Sequence, residues 1–122
     1  MGNRKIKVTA YSIAHTKTDV TIEDLKTKTL WAGDLLFTER TPVIDGDIHG
    51  FIDVIDKILM LDIDLVIPGH GTPTKKWKEA FLKEQNYFKL LRDEVRLAID
   101  NDQDLQLTID TAGQSESEKW EL

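Results

Sequence analysis

The sequence predicts an α/β fold, with about four strands and helices on one face of the sheet. Three observations predict it. Apolar residues alternate at period two over residues 5–13 and 19–24. They recur at three- and four-residue intervals over 50–61 and again over much of 73–99. Between those two helical stretches lies a short, apolar, β-branched run, 64–67, of the kind found in buried strands.

Each element follows in order. The first strand, 5–13, places Ile6, Val8 and Ala10 on one face. A polar loop from His15 to Thr18 leads to the second, 19–24, where Val20 and Ile22 alternate with polar neighbours. Residues 25–28 form a turn, and a third short strand, 29–32, ends at Gly33-Asp34. Pro42 and Asp45-Gly46 mark a loop. Phe51, Ile52, Val54, Ile55, Ile58, Leu59 and Leu61 recur at helical spacing over 50–61, and Pro68-Gly-His-Gly71 ends the strand 64–67. Thr72 and Pro73 have the chemistry of an N-cap and a first helical residue, so the longest helix is expected over 73–99. Its stripe is Trp77, Phe81, Phe88, Leu91, Val95 and Ala98. Asp104 caps a short helix over 105–112, and 113–122 reads as a frayed tail. With no internal repeat and no linker, residues 1–122 are expected to form one domain.

Composition narrows the functions open to such a domain. Lys and Arg number 16 against 22 Asp and Glu, and the net charge of −6 argues against a nucleic-acid partner. The absence of cysteine excludes a disulfide scaffold, a thiolate zinc site and a cysteine nucleophile. Any metal must be held by imidazoles and carboxylates. No apolar run approaches the roughly 20 residues of a membrane helix. No secretory signal follows the charged N-terminus, so a soluble chain is expected, its compartment open.

Topology points to the chemistry. The strands 5–13 and 19–24 are joined by a short loop and should run antiparallel. The strand 29–32 reverses again, and 64–67 returns parallel to it through a helix. Three strands then point the same way, and the residues just past their ends are His15, Asp34 and His70. Open α/β sheets place their sites along such an edge. Two imidazoles and a carboxylate suit zinc, or iron or manganese. Singly, each has a plainer role as a loop, turn or cap residue; it is their joint placement that points to a metal. Gly33, Gly69 and Gly71 allow tight turns beside them. His49, near a helix start among Asp45 and Asp47, reads as a surface residue.

His15-Thr16, Ala32-Gly33-Asp34-Leu-Leu-Phe37 and Ile67-Pro-Gly-His-Gly71, in that order, resemble the later motifs of the metallo-β-lactamase fold superfamily. The resemblance covers residues 6–75, and its nearest branches are the glyoxalase-like proteins and the zinc metallohydrolases of quinoprotein relay systems. It implies the C-terminal half of a four-layer αβ/βα fold whose sheet edge holds one or two zinc ions. His15 would bind the first, Asp34 would bridge, and His70 would bind the second. The activity implied is metal-assisted hydrolysis of an ester, thioester, amide or phosphodiester. The superfamily's principal motif, His-x-His-x-Asp-His, is absent: the three histidines stand apart at 15, 49 and 70. Two expectations follow. The first is a hydrolase portion inactive alone, with weak or partial zinc binding. The second is a non-catalytic αβ module that pairs with itself, as a homodimer or larger assembly, or with a missing N-terminal half.

Overall fold

The computed structural model describes residues 2–121. Four strands, β1 (Ile6–Ala10), β2 (Val20–Asp24), β3 (Thr29–Phe37) and β4 (Leu65–His70), form one sheet in the order β1-β2-β3-β4. β1 and β2 pair antiparallel, as do β2 and β3, while β3 and β4 run parallel. Helix α1 (Ile48–Leu59) makes the crossover, and α2 (Trp77–Asp100), α3 (Leu105–Thr111) and a 3-10 helix (Gln114–Lys119) follow β4. The directions match those expected from loop lengths, and β1, β3 and β4 point the same way.

The core lies between β3, β4 and the two long helices. Leu30, Ala32 and Val66 face Phe51, Val54, Ile55 and Ile58 of α1 and Phe81 and Phe88 of α2. The Trp77 indole N–H donates to the Ile63 carbonyl at 2.9 Å, pinning the start of α2 beneath β4. α1 begins where its cap chemistry dictates: the Asp47 carboxylate accepts from Gly50 N–H. The opposite sheet face is open. Val8 and Ile22 are register partners there, with Ile6, Val20 and Trp31 beside them, all exposed.

Several boundaries differ from the sequence expectation. β1 stops at Ala10: Tyr11 N–H still reaches the Asp19 carbonyl, and the chain then bends through residues 12–18 to shape the His15 loop. β3 runs five residues past Ala32, carried over an irregularity at Gly33, whose φ of +56° suits glycine. β4 likewise includes the Pro-Gly-His segment. Thr72 and Pro73 do not open α2: Thr74 bridges antiparallel to Val66, and the helix starts at Trp77 without a side-chain cap. The expected frayed tail is packed instead. Trp120 is buried against Tyr87, and Glu121 exchanges backbone hydrogen bonds with Glu39 and Thr41. Leu122 lies outside the described residues. No helix among the described residues is long and apolar enough to cross a membrane.

Candidate functional site

His15, Asp34 and His70 meet at one edge of the sheet. Asp34 lies between the imidazoles, its Oδ2 at 3.6 Å from His15 Nε2 and its Oδ1 at 3.4 Å from His70 Nε2. One carboxylate oxygen therefore faces each ring. His15 is buried, whereas Asp34 and His70 are half exposed, so the cluster opens to solvent on one side.

The surrounding chain holds each member. His15 Nδ1 is 2.8 Å from the Val43 carbonyl oxygen. A carbonyl only accepts, so Nδ1 carries the proton, and Nε2 is the ring nitrogen on the side of Asp34. Such an outer hydrogen bond is what orients metal-binding histidines. The His15 loop is tied by Asp19, whose carboxylate accepts from Thr16 N–H at 2.8 Å and the Thr16 hydroxyl at 3.0 Å. The loop before α1 clamps it from the other side, with Asp45 and Asp47 N–H donating to the His15 and Ala14 carbonyls. The Thr38 N–H donates to the His70 carbonyl at 3.0 Å. Gly69 leaves the space that Asp34 occupies: a Cβ there would strike Asp34 Oδ1 and the Gly33 backbone.

Phe37 completes the cluster. Its ring stacks on His70, with centroids 4.7 Å apart and planes 12° from parallel, and is tilted against His15 at 5.8 Å. Both N···O separations exceed the usual 2.7–3.2 Å of a hydrogen bond. Two donors on one tetrahedral zinc at about 2.1 Å lie about 3.4 Å apart. Each oxygen of Asp34 thus stands from its imidazole at the spacing of two ligands sharing an ion. Among the described residues no three His, Asp or Glu groups close on one ion position. The arrangement is one carboxylate flanked by two imidazoles.

His49 stays apart, exposed in the first turn of α1 with its Nε2 3.5 Å from Arg96 Nη2. Sequence reasoning missed Asp19, Phe37 and Glu84. Asp19 had a signal in Thr16-x-x-Asp19, a spacing suited to a side-chain-closed turn. Glu84 had one too, as the single carboxylate on the α2 stripe, between Phe81 and Phe88. Phe37 closes the Ala32–Phe37 motif, but an aromatic after Leu35-Leu36 reads as core rather than as part of a site.

Comparison with solved structures decides the fold. A β-lactamase domain protein from Burkholderia ambifaria superposes with a TM-score of 0.69 at 18% identity, covering 80% of this chain and 33% of that one. A double mutant of the sec-alkyl sulfatase PisA1 gives 0.65 at 16% identity, covering 80% and 18%. A metallo-β-lactamase from Pontibacter korlensis gives 0.60 at 18% identity, covering 70% and 43%.

The chain has part of the metallo-β-lactamase fold.

It spans less than half the length of these three proteins. No protein-family model matches the sequence, and neither does any curated protein. The partial metallo-β-lactamase fold places the end of β3 and the end of β4 side by side, which brings Asp34 and His70 together.

Proposed function

We propose that the chain is a portion of a metal-dependent hydrolase of this fold, and that His15, Asp34 and His70 are its metal donors. The observation that carries the reading is the Asp34 carboxylate, with one oxygen toward each imidazole at 3.4 and 3.6 Å. The donor chemistry, two neutral imidazoles and a carboxylate without thiolate, fits zinc. A divalent ion held there supplies a Lewis acid and brings the pKa of its water toward about 7. The chain's own residues do the rest. Val43 and Asp19 hold His15 in register, Asp34 presents an oxygen to each half-site, and the Phe37 ring keeps water from the inner side of His70. The chain's third histidine, His49, lies exposed on α1 with its Nε2 3.5 Å from Arg96 Nη2 and is not part of the cluster. With so few donors, zinc binding is weak, and the chain alone does not turn over esters or thioesters at an appreciable rate. Zinc titration by calorimetry tests this. Asp34→Ala should abolish binding and His70→Ala should weaken it. Equal affinity in wild type and His70→Ala removes the assignment.

We propose also that the open sheet face is covered by a second copy of this chain. A folded monomer of 14.0 kDa exposes about 6,700 Å² by the usual scaling of surface with mass, whereas this one exposes 7807 Å². The excess is of the size that one partner buries in a stable interface, about 800 Å². Ile6, Val8, Val20, Ile22 and Trp31 supply its apolar centre, and the Arg4–Asp24 ion pair lies at its margin.

A further inference from the structure

The buried stripe of α2 is interrupted by one carboxyl group. Glu84 has no exposed surface and sits on the buried stripe of α2 between Phe81 and Phe88, next to the buried Gln85. A leucine there would fill the same space without the cost of burying a carboxyl. What the carboxyl adds is an acceptor: Glu84 Oε1 takes the Phe37 N–H at 3.0 Å, reaching from the helix to the last residue of β3. Its Oε2 has no hydrogen-bond partner among the described residues.

That N–H is available because the ladder is irregular there. The β3–β4 register shifts between Gly33 and Phe37, and the bond to the His70 carbonyl is made by Thr38. The Phe37 N–H would otherwise be buried and unpaired, a cost of about 1–3 kcal/mol. Phe37 in turn is the one residue whose ring touches both imidazoles, stacked on His70 and tilted against His15.

We infer that Glu84 is a positioning residue for the sheet-edge site: through the Phe37 N–H it sets the Phe37 ring, and through that ring the orientation of His70 and His15. Its effect on ion affinity rests on the metal reading above; its effect on the imidazoles does not.

The test uses the full chain and two readouts. The first is the NMR signals of the imidazole carbon-bound protons without metal, where the stacked Phe37 ring displaces His70 upfield. The second is cobalt(II) titration followed by absorbance. In Glu84→Leu the upfield displacement is lost and cobalt affinity falls roughly 10–100-fold, the range for residues that orient metal ligands. Glu84→Gln keeps a side-chain acceptor for the Phe37 N–H and preserves both signals. Phe37→Leu leaves the backbone bond to Glu84 in place but removes the ring, and it reproduces the Glu84→Leu result. Should Glu84→Leu not fold, Phe37→Leu and Glu84→Gln decide. Unchanged His70 signals in Phe37→Leu, or an equal loss in Glu84→Gln and Glu84→Leu, overturns the inference. Failure of wild-type protein to bind cobalt overturns the metal reading instead, and the imidazole signals alone then judge Glu84.

Discussion

Replacing Val8 by Lys and Ile22 by Glu together should separate the proposed dimer without unfolding its protomers. The two residues are register partners on the open face, 65% and 41% exposed in the single chain. Opposite charges placed directly across an antiparallel pair attract, so the sheet itself should lose little. In the dimer, however, about half of each side chain would be newly buried. Full burial of a Val or Ile is worth about 1.5–3 kcal/mol, so each site contributes about 1 kcal/mol. With two sites in each of two copies the loss is about 4 kcal/mol, or roughly a thousandfold in dissociation constant. Light scattering coupled to size exclusion, run over a range of concentrations, reads the outcome. The wild type should elute near twice 14.0 kDa and the double variant near 14.0 kDa. Circular dichroism should be the same for both. A wild type that stays monomeric at tens of micromolar refutes the reasoning, as does a double variant that associates as tightly as the wild type.

Trp120→Ala should cost roughly 3 kcal/mol and free the C-terminal segment, because Trp120 packs on Tyr87 and lies under Lys83 Nζ at 3.8 Å. Faster amide exchange at Thr41 and Glu121, with the sheet amides unchanged, is the signature. Glu84 should make stability fall as pH rises. Burial drives its carboxyl well above its ordinary 4.5, against a smaller opposing effect of the Phe37 N–H. A folded-state pKa raised above the unfolded one favours the protonated native form. Its stabilising effect is complete below about 4.5 and is lost as pH climbs through the raised value. Urea midpoints measured across that window should decline more steeply for wild type than for Glu84→Gln, and parallel curves would contradict the assignment.

The elements that were legible in the sequence are those set by local pattern. Val20 and Ile22 alternate on a strand that is solvated on one face, and Phe51, Val54, Ile55 and Ile58 repeat at helical spacing. Asp104 caps α3 as its residue type suggests, accepting from Gln106 and Leu107 N–H. The α2 start was misplaced for a tertiary reason. Thr72-Pro73 is as good a helix opening as chemistry offers, but Thr74 bonds both ways to Val66 and takes the segment as a short edge to β4. The tail was misread for a similar reason. Residues 113–119 carry little apolar content, and the segment is held by the buried Trp120 indole, by bonds of Gly113 N–H to Glu94 and of Lys83 Nζ to the Lys119 carbonyl, and by the exchange of Glu121 with Glu39 and Thr41.

The site was legible in a different way. His15, Asp34 and His70 are separated by 19 and 36 residues, beyond the reach of any local rule. What places them together is direction: two reversals and one crossover leave three strands pointing the same way, and their ends share an edge. That inference tolerates boundary errors. Asp34 and His70 lie within β3 and β4 rather than past them, yet they remain at the same end of adjacent parallel strands. It does not extend to the residues behind the site. Phe37 meets His70 because β3 crosses the irregularity at Gly33, where the positive φ lets the strand continue after the register breaks. Glu84 lies on the predicted α2 stripe, but that it meets the Phe37 N–H is decided by how α2 packs against the end of β3. The three clustered residues follow from strand order, whereas the placing of Phe37 and Glu84 behind them follows from a bulge and from helix packing, both of which depend on contacts between distant parts of the chain.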